Sequence, residues 1–241
     1  MQPARPLTIT RASGIESSPT ARGIVVVIDV LRAFTTAAFA LASGAEKIVL
    51  VSTPEEAFAL RARAPGMLLV GEVGGRPIEG FHFGNSPAEL RDADLSGKTI
   101  VLRSSSGTQG VTRAARAERI YLGSLVVASA TVRHLRFQSG DVTLLAMGSP
   151  SGPDGPEDEA CAEYMQALFS SALLDRARRA QIAQAVSDSP AGLQALDPSI
   201  DWITPEDLAC AIDIDRFDFC MPVRREGDLL VARALPTPFR S

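Results

Sequence analysis

Short apolar runs alternate with stretches of helical spacing along the first 150 or so residues. Residues 24–28 (IVVVI) are uninterrupted and β-branched, as a strand covered on both faces requires. Residues 33–43 (AFTTAAFALAS) are Ala-rich and suit a helix ended by Gly44. IVLV at 48–51 predicts the next strand, and STPEEAFALRARA opens a helix with Ser or Thr as cap and Pro near its first position. MLLVGE at 67–72 is a further strand. The rhythm resumes with TIVL at 99–102, a helix over 107–117, RIYLG at 119–123, a helix over 125–137 and VTLLAM at 142–147. This alternation predicts an α/β fold of three layers, α/β/α, on a mostly parallel sheet.

Two stretches break the rhythm. Residues 73–96 are dominated by Gly, Pro, Asn and Asp, and a loop that long inside a compact domain is usually functional. Residues 148–160 (GSPSGPDGPEDEA) form a second such loop, leading into a helix expected over 158–180. Further on, Thr204-Pro205-Glu206-Asp207 starts a helix, and MPVRREGDLLVARAL (221–235) reads as a hairpin around Glu226-Gly227-Asp228. No Ser/Gly linker or abrupt charge shift marks a boundary. The 241 residues are therefore expected to form one α/β domain, with a helical and hairpin C-terminal extension over about 157–241.

Composition narrows the partners. A net charge of −4 gives nucleic acid no reason to be the main ligand, because phosphate backbones attract clustered Lys and Arg. No apolar run approaches 20 residues and no charged-then-apolar leader opens the chain, so no membrane partner is expected and a cytoplasmic location is. Cys161, Cys210 and Cys220 are too widely spaced for a zinc site or a disulfide framework and read as reduced, buried thiols. A homodimer is left open.

The chemistry concentrates in two hydroxyl-rich turns, DVLRAFTT (29–36) and LRSSSGTQG (102–110). Sliding the chain by 72 positions lays one on the other: Thr36 falls on Thr108, Thr35 on Gly107, and Gly44-Ala45-Glu46-Lys47-Ile48 on Arg116-Ala117-Glu118-Arg119-Ile120. Internal βαβ duplication and convergence on a common unit both explain this. Each turn joins a strand to a helix N-terminus, where unpaired N–H groups and the macrodipole favour an anion. Thr35, Thr36, Ser104, Ser105, Ser106, Gly107 and Thr108 are thus candidates to cradle a phosphate, with Arg32 and Arg103 beside them. Helix capping is the alternative role for these hydroxyls. Two such turns on neighbouring strands would face one crevice.

Asp29 and Glu72 each end an apolar strand, where a carboxylate is costly to bury unpaired. Glu157 and Asp158 stand at the entry to the next helix, where first-turn acids are also common for capping reasons alone. Carboxylates around an oxyanion cradle suggest Mg²⁺, with Asp29, Glu72, Glu157 and Asp158 as candidate ligands. Other patterns fail on context. Ser96-Gly97-Lys98-Thr99 lacks the first P-loop glycine and precedes its strand, and no G-x-S-x-G supports a serine hydrolase.

Taken together, DVLRAFTT, GE…GFHFGNSP, SSSGT and the later EDEACA resemble the 2-phosphosulfolactate phosphatase (ComB-like) family, over about Val25 to Ala162. The resemblance implies a three-layer α/β/α, Mg²⁺-dependent enzyme that releases phosphate from 2-phospho-3-sulfolactate, a step towards coenzyme M. Two positions depart from the family pattern: His82 and Ser106 stand where Asp and Asn are usual. The expected function is hydrolysis of a small anionic phosphate monoester. Asp29 would be general base or nucleophile, an activated water being preferred, and Asn85 and Ser86 would contact the substrate's other anionic groups. A non-catalytic binding module for a sugar phosphate or nucleotide is the alternative.

Overall fold

The structure is a computed structural model that describes residues 7–148, 155–170 and 175–237. In chain order the strands are β1 (Ile9–Ser13), β2 (Gly23–Ile28), β3 (Lys47–Val51), β4 (Leu68–Val73), β5 (Arg76–Pro77), β6 (Thr99–Arg103), β7 (Ala117–Gly123), β8 (Val142–Ala146), β9 (Phe219–Glu226), β10 (Leu229–Ala232) and β11 (Leu235–Pro236). The helices are α1 (Ala33–Ala42), α2 (Pro54–Arg63), α3 (Pro87–Arg91), α4 (Gly107–Arg113), α5 (Ala128–Leu135), α6 (Pro156–Phe169), α7 (Arg176–Ser187), α8 (Pro190–Leu196) and α9 (Pro205–Ala211).

The alternation read from the sequence is there, with local corrections. The helix expected over 158–180 is two helices: α6 ends at Ser170, and α7 starts afresh behind Asp175, whose side chain accepts from the Arg178 N–H at 2.9 Å. The helix expected over 107–117 stops at Arg113, and that over 125–137 opens with a 3-10 turn before α5. The long loop 73–96 contains β5 and α3, each only a few residues long. β1 was not foreseen because, as a strand with one neighbour, it shows little apolar alternation.

Sheet order is β1-β8-β2-β7-β9-β10-β3-β6-β4-β5, with β11 beside β9. β1, β8, β2 and β7 form one parallel block, and β3, β6 and β4 a second. The β9–β10 hairpin joins them with antiparallel pairing on both sides. Following that pairing, the two blocks run in opposite senses. β2 and β6 are therefore not neighbours as expected, since β7, β9, β10 and β3 lie between them. Yet their C-terminal turns touch. A right-handed twist of about 20–25° per strand accumulates to about 100–125° over the five steps, which swings the two ends towards the same side.

Alternate residues of each buried strand serve opposite layers. Val25, Val27, Ile48, Leu50, Ile100 and Leu102 pack with α1, α3 and α4. Ile24, Val26 and Ile28 face α5, α6, α7 and α8, while Val49, Val51 and Val101 face α2. α1 lies fully against the sheet because its alanines allow close approach. α1 carries the chain from β2 across the hairpin to β3, and α4 carries it back from β6 to β7. The two units related by the 72-residue offset are thus interchanged by an approximate two-fold through the hairpin.

Candidate active site

Asp29 leaves the end of β2 with a carboxylate that two helix N-termini satisfy. Oδ1 accepts from the Ala33 N–H at 2.8 Å, at the start of α1, and Oδ2 from the Gly107 N–H at 2.8 Å, at the start of α4. One side chain thereby staples both hydroxyl-rich turns together. Gly107 is required there: a Cβ would stand 2.6 Å from Asp29 Oδ2. Burial raises the Asp29 carboxyl to about 7, helped by the charges of Glu72 and Glu157 and opposed by the two N–H bonds.

Most of the hydroxyls around this staple close the turns. Ser104 and Thr108 bond reciprocally, N–H to side-chain oxygen, at 2.9 Å each way, and Thr35 Oγ1 donates to the Val30 carbonyl at 2.7 Å. Thr36 Oγ1 is buried without a hydrogen-bond partner among the described residues. Glu72 organises the second turn: Oε1 accepts from Ser105 N–H at 2.5 Å, and Oε2 from Gly75 N–H at 2.6 Å and Ser105 Oγ at 3.0 Å. Arg103 faces the backbone, donating to the Glu72 carbonyl at 2.5 Å and the Ser52 carbonyl at 3.3 Å.

Arg32 is 6% exposed and holds three segments. It donates to the Trp202 carbonyl, to the Gly75 carbonyl at 3.0 Å and to Asp207 Oδ2 at 3.4 Å. Burial lowers its pKa, and Asp207 works against that. Asp207 also accepts from Ser86 Oγ at 2.5 Å and Ala88 N–H at 3.2 Å, so α9 is tied to α3. Ser86 is thereby turned away from solvent, whereas Asn85 faces the crevice and its Oδ1 is buried without a partner among the described residues.

The crevice so enclosed has a volume of about 340 Å³. Asp29, Glu72 and Glu157 give it three carboxylates, and Arg32, Asn85, Ser105 and Ser106 give it donors. Gly74, Gly75 and Gly148 add backbone, and Leu31, Pro190, Ala191, Gln194 and Trp202 form the remaining wall. Thr35, Thr36, Ser86, Arg103, Ser104, Gly107, Thr108 and Asp158 do not line it; they stand behind. Asp158 accepts from Val30 N–H at 2.7 Å and Gly148 N–H at 2.9 Å. Burial pushes its carboxyl well up, as does the charge of Asp29, and burial likewise raises Glu157. His82 is exposed and outside the crevice, its Nδ1 accepting from Leu69 N–H at 2.9 Å. Burial and then Arg61 lower its pKa. Trp202, Gln194 and Asp207 carried no recognisable motif and were missed; the acidic cap position of Asp207 was the one available signal.

Among the described residues no three His, Cys, Asp or Glu side chains converge as a ready metal cage. The donor set fits Mg²⁺ in another way. Mg²⁺ usually takes one or two carboxylates and completes its shell with water and substrate phosphate. Three carboxylates on one crevice meet that need, and the orphaned Asn85 acceptor suits a water of hydration. Ser106 and the Arg32 guanidinium face the same space, while Ser105 gives its N–H and O–H to Glu72.

Comparison with known proteins gives this crevice a context. A family model described as 2-phosphosulpholactate phosphatase matches residues 9–221. A protein of Carboxydothermus hydrogenoformans named "Probable 2-phosphosulfolactate phosphatase" is 46% identical over 149 residues, 61% of this chain and 60% of that protein. Proteins of Bacillus subtilis and Deinococcus radiodurans bear the same name. They are 30% identical over 207 residues and 36% over 198, covering 86% and 80% of this chain and 89% and 81% of their own.

Proposed function

The chain belongs to the 2-phosphosulpholactate phosphatase family, and from that premise we propose that it hydrolyses 2-phospho-3-sulfolactate to 3-sulfolactate and phosphate, with Mg²⁺. The observation that carries the reading is the carboxylate-lined crevice built on the Asp29 staple, where two helix N-termini converge. One or two of Asp29, Glu72 and Glu157 would hold Mg²⁺, which when bound offsets charge on the phosphoryl group.

The protein's own groups do the rest. Ser106 and Arg32 would orient the phosphate, with Ser105 held in place by Glu72. Asp29, held where the two turns meet, would act as the general base. It takes a proton from water as the water oxygen bonds to phosphorus. The ester P–O bond breaks with its electron pair on the alkoxide oxygen, which takes a proton from solvent. Such a reaction would suit a step towards coenzyme M, as the family resemblance implies.

Phosphate release from 2-phospho-3-sulfolactate, with Mg²⁺ and then with EDTA, tests the reading. Metal-dependent turnover is expected, and Asp29→Asn should lower kcat by about 10²–10⁴-fold, the usual worth of a general base, while the fold persists. Turnover indifferent to EDTA removes Mg²⁺ from the scheme. A hydroxylamine-trapped acyl-phosphate makes Asp29 the nucleophile instead. Tight phosphate-ester binding with no release favours the non-catalytic alternative.

A further inference from the structure

The substrate named above carries a phosphoryl group, a carboxylate and a sulfonate, and the crevice lining has little positive charge to meet all three. Among the described residues its one guanidinium, Arg32, is already held by the Trp202 and Gly75 carbonyls and by Asp207. Arg103 faces the carbonyls of Glu72 and Ser52. The carboxylates Asp29, Glu72 and Glu157 face the same space and repel a second anion. A cation for the organic end has to come from the rim.

One stands there. Gly74 and Gly75, with φ of 59° and 87°, make the two-residue turn between β4 and β5, a backbone that glycine adopts without strain. The turn delivers Arg76 over the indole of Trp202, with Cζ 3.9 Å from the ring centroid. Trp202 and Gly75 line the crevice, and Gly75 leaves room for the indole, since a Cβ would stand 2.9 Å from Trp202 Nε1. Arg76 is exposed and, among the described residues, has no carboxylate partner. A guanidinium stacked on an aromatic face keeps its in-plane N–H fork for a second partner, and stacking fixes its direction.

We propose that Arg76, held on Trp202, binds the substrate's sulfonate and so sets specificity for a sulfonated phosphate ester. The inference rests on the functional reading above. In 2-phospho-3-sulfolactate the carboxylate is bonded directly to the carbon bearing the phosphate ester and stays near the phosphoryl group. The sulfonate lies one methylene further out, towards the rim. Its oxygens suit a bidentate guanidinium contact, which is stronger than a neutral hydrogen bond. The arginine is a binding and specificity residue and takes no part in bond breaking.

Steady-state kinetics of Arg76→Gln and Arg76→Lys test this. For 2-phospho-3-sulfolactate, Arg76→Gln should raise KM about tenfold, the worth of one charge-assisted contact, with kcat within about twofold. Arg76→Lys should recover part of the loss. For 2-phospholactate, which lacks the sulfonate, KM (or the inhibition constant if it is not turned over) should change by less than about twofold. Trp202 is the single tryptophan, so its fluorescence should report 3-sulfolactate binding to the wild type more tightly than to Arg76→Gln. An unchanged KM, or an equal rise for both compounds, overturns the assignment. Release by the wild type is measured first: none sinks the substrate reading and this inference together, whereas release with an insensitive Arg76 sinks this inference alone.

Discussion

Asp29 is a carboxylate placed where ionisation is costly. Burial is the largest cause of its rise from 3.8 to about 7, followed among the raising causes by the charges of Glu72 and Glu157. Glu157 and Asp158 shift the same way, burial first in each. In the unfolded chain these groups ionise near pH 4. Between about pH 4 and 7 the unfolded state therefore binds fewer protons than the folded one, and stability falls as pH rises. The carboxylates with lowered pKa (Glu55, Asp92, Asp94, Asp197 and Glu226) are at the surface and act below that window. In EDTA the urea midpoint should drop between pH 5 and pH 8, and millimolar Mg²⁺ should reduce the drop. A midpoint climbing through that range in EDTA would show that the crevice carboxylates ionise freely.

Elements meet at the crevice through Asp207. Its side chain closes the capping box of α9 with Thr204, accepts from Ser86 and Ala88 at the start of α3, and pairs with Arg32 ahead of α1. Asp207→Ala leaves the Arg32 guanidinium buried without its carboxylate, which typically costs about 3–5 kcal/mol. Thermal denaturation should show that loss, and Asp207→Asn, which keeps an acceptor, should lose less. Equal stability of Asp207→Ala and the parent would mean that the Trp202 and Gly75 carbonyls suffice for Arg32. This junction also marks the limit of what the sequence made legible. Strands such as IVVVI and TIVL, and helices with a Pro or Ser/Thr start, were readable because their signals are local. The wall made by Gln194 and Trp202 was not, because it depends on how α8 and α9 fold back. The hydroxyls of Ser104 and Thr108, candidates for either anion binding or capping, each accept the other's backbone N–H and close the turn. Of the four carboxylates named from the sequence, Asp29 and Glu72, at strand ends, and Glu157, in the first turn of α6, face one crevice, while Asp158 lies behind it.

The crevice draws its walls from both parallel blocks, so its geometry depends on what joins them. Asp29 follows β2 in one block, while Glu72 and Ser105 belong to the ends of β4 and β6 in the other. Between them runs the β9–β10 hairpin, pairing with β7 at Ile120 to Leu122 and with β3 at Ile48 to Leu50. Read from the sequence, this hairpin belonged to a C-terminal extension; its place in the middle of the sheet rests on pairings more than 100 residues apart, which no local pattern carries. Val231 and Ala232 are buried, whereas Arg224 to Glu226 are exposed, so the inner half of the hairpin is core and the outer half reaches solvent. Opening the inner half exposes both blocks at once and lets the Asp29 and Glu72 walls part. Native-state hydrogen exchange should therefore find the amides of Met221 and Val231 as protected as those of Val26 and Val49, exchanging through global unfolding in one cooperative transition. Faster exchange of the hairpin with β2 and β3 still protected would mean that the blocks hold together without it, and that the Asp29–Gly107 staple carries the junction instead.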